Sequence, residues 1–320
     1  RLEAEVFPGN GFPFFAVEVR GLQRRLTLAN LAVPWLVGRA KRRLVSRFRD
    51  AGVKASLCVG NYVTVPFGWA ASSLGIPFFV HEQNAHAGLA NRVAQRWATK
   101  TFVSFHDTRG LSDQVLTGNP VRAPFVEFNR QELRAEALTR YGLDSRVVTV
   151  GVYGGSLGAG AINEAVATMV AEWSGPSVQI LHLVGSRNID AVAEFAEKAG
   201  VARRTIGFED RMELFFAASD LVIARAGGGV AEITATGTPS ILVPGGFGSD
   251  GHQEANATAL AEAGAAVVVQ EQELATLAEI IGDLAADHEK RKTMVRAALA
   301  YARPGAAVTI AKKLMEAASD

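Results

Sequence analysis

The segment Arg225-Ala-Gly-Gly-Gly-Val-Ala-Glu232 combines three consecutive glycines with a carboxylate three residues beyond them. It follows the apolar run Asp220-Leu-Val-Ile-Ala224, whose pattern predicts a buried parallel strand. It precedes a stretch that reads as the rest of a helix, a turn and the next strand. The glycines therefore fall where a strand turns into a helix, so backbone N–H groups and the positive helix end can face an anion. Glu232 lies about one turn into that helix, within reach of sugar hydroxyls beside a bound phosphate. A phosphate site with a carboxylate for an adjoining ribose points to a nucleotide, and here to a nucleotide-sugar. The competing reading is a Gly-rich turn packed for structural reasons, which short glycine motifs do not exclude.

A second glycine turn, Gly154-Gly155-Ser156-Leu-Gly-Ala-Gly-Ala-Ile-Asn163, also joins a strand to a helix. A dinucleotide-binding Rossmann unit would need Gly-x-Gly-x-x-Gly spacing and an acidic residue at the end of the following strand. The spacing differs, and the next strand ends His182-Leu-Val-Gly-Ser186 without a carboxylate, which argues against NAD. A third polar cluster, His81-Glu82-Gln83-Asn84, follows the run 77–80 directly and becomes helical toward Asn91. Four hydrogen-bonding side chains at one strand end suit a catalytic edge; as a helix cap they would only satisfy free backbone donors. No His-Glu-x-x-His or Asp-x-Asp arrangement occurs, so the expectation is no metal and no cofactor.

These clusters need strand ends to hold them. Apolar runs at 14–19, 55–59, 77–80, 147–153, 178–184, 220–224, 240–243 and 265–269 read as strands, with helical patterns at 159–173, 189–198 and 253–263 between them. Such alternation predicts α/β architecture with parallel sheets covered on both faces. Residues 123–145 are polar and helical without a strand, so we divide the chain into a first domain at 1–122 and a second at 123–320, with the last helix free to return to the first. Ligands in doubly wound sheets bind outside the carboxyl ends of strands, which puts the chemistry in the cleft between the domains.

The 320 residues carry a net charge of +1, unevenly placed. Arg20, Arg24, Arg25, Arg39, Lys41, Arg42, Arg43, Arg47 and Arg49 give nine basic residues over 20–49 without an acidic one, leaving the rest of the chain at −8. Between the basic clusters lies Leu26-Thr-Leu-Ala-Asn-Leu-Ala-Val-Pro-Trp35-Leu-Val37. An apolar patch flanked by cations suits an anionic membrane surface; a basic helix with its apolar side in the core is the alternative, and no nucleic-acid motif surrounds it. The single cysteine, Cys58, excludes a disulfide framework and fits a reducing cytoplasm. No signal peptide opens the chain and no apolar run reaches membrane-spanning length, so a soluble protein is expected.

Read together, His81-Glu-Gln-Asn84, Gly118-Asn-Pro-Val-Arg122, Gly154-Gly-Ser-x-Gly-Ala159, Arg225 to Glu232 and Asp250-Gly-His-Gln-Glu-Ala-Asn-Ala257 occur in the order found in the MurG family. The resemblance runs over nearly the whole chain. It implies a GT-B fold of two Rossmann-like domains, and transfer of GlcNAc from UDP-GlcNAc to lipid I at the cytoplasmic face of the bacterial inner membrane, inverting and without a metal. It further implies that Glu232 holds the uridine ribose, that Gly228 and Gly229 meet the diphosphate, and that Phe208 and the backbone of Glu209 border the uracil. Gln253 and His252 would reach the GlcNAc hydroxyls, Gly155, Ser156 and Arg122 would face the phosphates, and Asn163 would line the cleft. Asn84 and Asn91 would stand near the reacting sugar, with His81 and Glu82 on the acceptor side as the remaining general-base choices. The basic segment matches the family's membrane-docking region. Three features depart from the family: its N-terminal strand and glycine loop are not in this sequence, the Arg225–Glu232 loop is one residue short, and Cys58-Val-Gly-Asn-Tyr62 replaces the usual Gly–x–Gly–Gly–Tyr.

Overall fold

Two all-parallel sheets carry the functional loops. The protein was analysed as a computed structural model that describes residues 3–17, 19, 32–155, 159–185, 188, 201–245 and 251–319. The first sheet comprises β1 (Ser56–Cys58), β2 (Phe78–Glu82), β3 (Lys100–Val103) and β4 (Gln114–Leu116), in the order β1-β2-β3-β4. The second comprises β5 (Val148–Tyr153), β6 (Val178–Leu183), β7 (Ala202–Ile206), β8 (Leu221–Ala224), β9 (Ser240–Leu242) and β10 (Ala266–Val268), in the order β10-β9-β8-β5-β6-β7.

That order has a mechanical consequence. From β5 the chain winds outward through β6 and β7, then returns to the other flank of β5 with β8 and winds outward again. Loops leaving β5 and β8 therefore diverge, opening a crevice at their carboxyl ends. The turns after Tyr153 and Ala224 are the two glycine-rich segments.

Apolar side chains cover both faces of this sheet, as parallel strands require. Phe215, Phe216, Leu181, Val222 and Leu242 bury one face, and Val150, Ile180, Ile223, Ile241 and Ile281 the other. Gly151 sits in the middle of β5 because the helix Met212–Ala218 presses on it; a Cβ there would lie 2.3 Å from the Ser219 hydroxyl and 2.8 Å from Phe215. In the first sheet, Phe78, Val80, Cys58 and Ala70 pack with Leu44 and Phe48 of the helix Val33–Asp50. The last helix, Ala306–Ser319, lays Ile310 against Phe79 and Phe102 on the opposite face of that sheet.

Seven of the expected strands form, within two residues of their predicted ends. The run 14–19 shows none: residues 14–17 and 19 belong to no helix or strand among the described residues, and Phe14 and Phe15 are exposed. Three strands, β3, β4 and β7, were not expected, being short or polar. The helical patterns at 159–173 and 253–263 appear as Gly160–Glu172 and His252–Glu262, while 189–198 lies outside the described residues. Among those residues, no helix is long and apolar enough to cross a membrane.

Candidate functional site

The crevice between the β5 and β8 loops is a cleft of ≈ 530 Å³, walled by Tyr153, Gly154, Gly155, Gly185, Phe208, Glu209, Arg225, Gly227 to Gly229, Glu232, Arg122 and Gln253. Its size falls within the range of small-molecule sites, about 300–1,000 Å³. Eight residues predicted from sequence converge here: Arg122, Gly155, Phe208, Glu209, Gly228, Gly229, Glu232 and Gln253. Ser156 lies outside the described residues.

Charge is arranged so that an anion meets donors at the glycine turn and hydroxyls meet a carboxylate one turn deeper. The N–H groups of Gly228 and Gly229 have no acceptor among the described residues. Glu232, in the first turn of the helix Val230–Ala235, is largely buried, and burial pushes its carboxyl above the ordinary value, with the nearby Arg122 cation pulling the other way. Arg122 approaches Glu232 at 3.8 Å, too long for a hydrogen bond, while donating to the Asp210 carbonyl at 3.0 Å and lying over Phe125. Phe208 is 65% exposed and offers a free aromatic face to the cleft.

Glu209 has a different task. Burial pushes its carboxyl up, but hydrogen bonds from Arg140, Tyr141 and the Arg211 N–H outweigh that and hold it at about 2. Its side chain braces the Phe208 loop at the cleft wall. Gln253 accepts from the Gly245 N–H at 2.8 Å, and Arg225 is tied to Glu271 and to the Val243 and Pro244 carbonyls.

Across from this wall stands the loop after β2. Both oxygens of the buried Glu82 carboxylate are engaged: Oε1 accepts from the Asn84 N–H and side chain, Oε2 from the Gly88 N–H and the Asn91 amide at 2.8 Å. Glu82 is thus the knot of its loop, with no oxygen open to take a substrate proton. Asn91 is buried behind it. Asn84 faces the second domain and accepts from Asn256 at 3.1 Å. His81 is also buried; its Nε2 donates to the Gly118 carbonyl at 3.0 Å, which leaves Nδ1 unprotonated in the neutral ring. Burial pushes its pKa down, so neutral is the form present at pH 7. His81 and Gln83 line a separate cavity of ≈ 460 Å³ with Asn119, Ile310 and Leu314.

Two placements differ from the sequence reading. Asn163 is buried away from the cleft, bonded to the Val184 carbonyl and to His182 at 2.9 Å. It holds the end of β6, where burial and the Arg203 cation push His182 down to about 3. His252 stands at the domain junction with its ring 6.1 Å from His86, and does not line the cleft itself. Sequence reasoning gave no role to Tyr153 or Asn256. Tyr153 carried a signal, a polar group ending an otherwise apolar strand at a glycine turn; Asn256 lay inside the motif 250–257, but its partners lie far away in sequence.

Residues 149–313 match the glycosyltransferase family 28 C-terminal domain and residues 1–103 the family 28 N-terminal domain. A UDP-N-acetylglucosamine–N-acetylmuramyl-(pentapeptide) pyrophosphoryl-undecaprenol N-acetylglucosamine transferase from Desulforamulus reducens is 35% identical, over 97% of this chain and 86% of its own length. The same-named protein of Cupriavidus metallidurans is 36% identical over 97% and 86%. The crystal structure of Acinetobacter baumannii MurG superposes with a TM-score of 0.79 at 26% identity, covering 98% of this chain and 88% of that one. The chain belongs to the MurG family. The expected fold is therefore the observed one: two parallel-sheet α/β domains of GT-B type.

The buried carboxylate generates a prediction. A glutamate whose folded pKa lies above its unfolded value of 4.5 contributes stability that is fully present below pH 4.5 and lost as pH rises through the folded value. At neutral pH, ionised Glu232 therefore weakens the empty protein. Glu232→Gln should raise the melting temperature near pH 7, the gain should vanish near pH 4, and UDP affinity should fall. A lower melting temperature near pH 7 would contradict the desolvation argument.

Proposed function

We propose that the chain transfers GlcNAc from UDP-GlcNAc to the muramyl sugar of lipid I, forming lipid II with inversion at the anomeric carbon. The observation that carries this reading is the pairing, in one cleft at the strand-order switch, of glycine N–H groups without an acceptor among the described residues and a half-buried carboxylate one turn deeper. In this reading Glu232 takes the ribose hydroxyls and Phe208 borders the uracil. Gly228, Gly229 and Arg122 meet the diphosphate. Gln253, with Asn84 opposite, addresses the sugar.

As the acceptor hydroxyl forms its bond to the anomeric carbon, the bond from that carbon to UDP breaks and its electrons pass to the diphosphate. Negative charge thus grows where the Gly228 and Gly229 N–H groups are free to donate, with the Arg122 guanidinium close enough to turn to it, which stabilises the leaving group. The reading needs no divalent cation for that role. The hydroxyl proton must leave on the opposite side. Of the two base choices, Glu82 is committed to its loop, which leaves His81, whose ring lines the separate cavity with Nδ1 unprotonated.

A lipid-linked acceptor brings the protein to an anionic membrane surface. The helix Val33–Asp50 presents Arg39, Lys41, Arg42, Arg43, Arg47 and Arg49, with exposed Trp35 beneath Arg39 and Trp69 beneath Lys41. Aromatic rings flanked by cations suit the headgroup region; the part of the basic segment at 20–31 lies outside the described residues. Co-sedimentation with vesicles containing anionic lipid should be strong at low salt and lost when Arg39, Arg42 and Arg43 are replaced by Ser. Equal binding by that variant would remove the surface assignment.

Calorimetric titration tests the donor site. UDP-GlcNAc should bind more tightly than UDP-glucose, with NADH showing no binding. Replacing Glu232 by Ala should cost a few kcal/mol of UDP-GlcNAc binding, since hydrogen bonds to a charged group are worth about 1.5–3 kcal/mol each. NADH binding in place of UDP-GlcNAc, or an unaffected Glu232→Ala variant, would overturn the donor assignment.

A further inference from the structure

Tyr153 closes β5 at the strand-order switch, and its ring is held edge-on by Phe215 at 5.5 Å and Phe216 at 5.8 Å. The residue is only 8% exposed, and its hydroxyl has no hydrogen-bond partner among the described residues. That hydroxyl lies directly under the start of the helix Val230–Ala235: a Cβ added to Gly229 would stand 3.0 Å from it. Leaving a buried donor unmade is costly, and the packed ring cannot swing out to find water. The groups around this hydroxyl are those of the nucleotide cleft.

Glu232, three residues beyond Gly229, is the nearby acceptor with capacity to spare. Among the described residues its charged neighbour is Arg122, at 3.8 Å without a hydrogen bond. Burial, and after it the Glu232 charge, push the Tyr153 phenol well up, so it remains a protonated donor. Arg122 is half-exposed, and its other contacts are the Asp210 carbonyl and the Phe125 ring; an arriving diphosphate, with two negative groups, competes for it. Once Arg122 turns to the phosphates, Glu232 loses its cation while burial still penalises its charge.

We propose that Tyr153 is a positioning residue of the nucleotide site: on nucleotide binding its hydroxyl takes over from Arg122 as the partner of Glu232 and holds that carboxylate on the ribose. The inference rests on the nucleotide reading above and adds to it a ligand-driven exchange of partners. The diphosphate gains a cation, and the buried carboxylate gains a neutral donor that stands ready beneath it.

The test is titration of wild type, Tyr153→Phe, Glu232→Ala and the double variant with UDP and with uridine, beside melting of each empty protein. Tyr153→Phe keeps the ring packing and removes only the unpartnered hydroxyl, so the empty protein should melt at the same temperature or higher. Its UDP affinity should fall about tenfold, the scale of one hydrogen bond to a charged group. Uridine, which has no phosphate to draw Arg122 away, should lose less than about twofold by the same reasoning. In the Glu232→Ala background the Phe substitution should change UDP affinity little, since the two act through one contact. Unchanged UDP affinity in Tyr153→Phe, or an equal loss with and without Glu232, would overturn the proposal while wild-type UDP binding kept the nucleotide reading intact. Failure of wild type to bind UDP would overturn that reading, and the exchange with it.

Discussion

Asn256 reaches across the junction of the two domains with both ends of its amide. Its oxygen accepts the Ala85 N–H at 2.8 Å, while its nitrogen donates to Asn84 at 3.1 Å and to the Ala226 carbonyl at 3.0 Å. Ala226 belongs to the glycine loop that faces the cleft, and Asn84 is anchored by the Glu82 carboxylate. One buried side chain thus fixes the distance between the loop after β2 and the loop after β8. Fully buried amides of this kind are stabilising only when every group is matched, so the junction tolerates one register. A transferase has the same requirement, because donor and acceptor must meet within bonding reach.

The site uses buried charge in two ways. Glu82 and Glu209 are saturated with donors and serve as rigid braces. Glu232 is half-buried with a cation nearby but not hydrogen-bonded to it, a poor arrangement for an empty protein and a good one for a protein that waits for hydroxyls. Stability given up at a binding position is common where function needs an unsatisfied group. The glycine turn shows the same economy, with N–H groups unpaired until an anion arrives.

Much of this was legible in the sequence because the central strands are apolar on both faces and end at glycine turns. The runs giving β5, β6 and β8 could hardly be anything else, and the loops after β5 and β8 follow from them. The edge strands β4 and β7, and β3 beside β4, were harder. β7 carries Arg203 and Arg204, and β4 is three residues long, so their pairing is set by neighbours distant in sequence rather than by their own composition. The aromatic run at 14–19 misled for the converse reason: strand-like composition without a ladder partner. Ordered motifs pointed to residues that line one cleft; Asn256 as a junction and Glu82 as a brace were not legible, because which polar group is saturated is a three-dimensional fact. Asn163 was misplaced on the same account, its motif position adjoining the cleft while its amide turns inward to His182.

The central claim is that this cleft places a donor sugar opposite a lipid-borne hydroxyl with the geometry for inversion. Incubating the chain with UDP-GlcNAc labelled in the sugar and a lipid I analogue, then determining the linkage of the labelled product by NMR, tests it directly. The account predicts transfer to the muramyl sugar with a β-linked GlcNAc and release of one UDP for each linkage made. Retention of the α configuration, or UDP release with free GlcNAc and no labelled lipid, would contradict it.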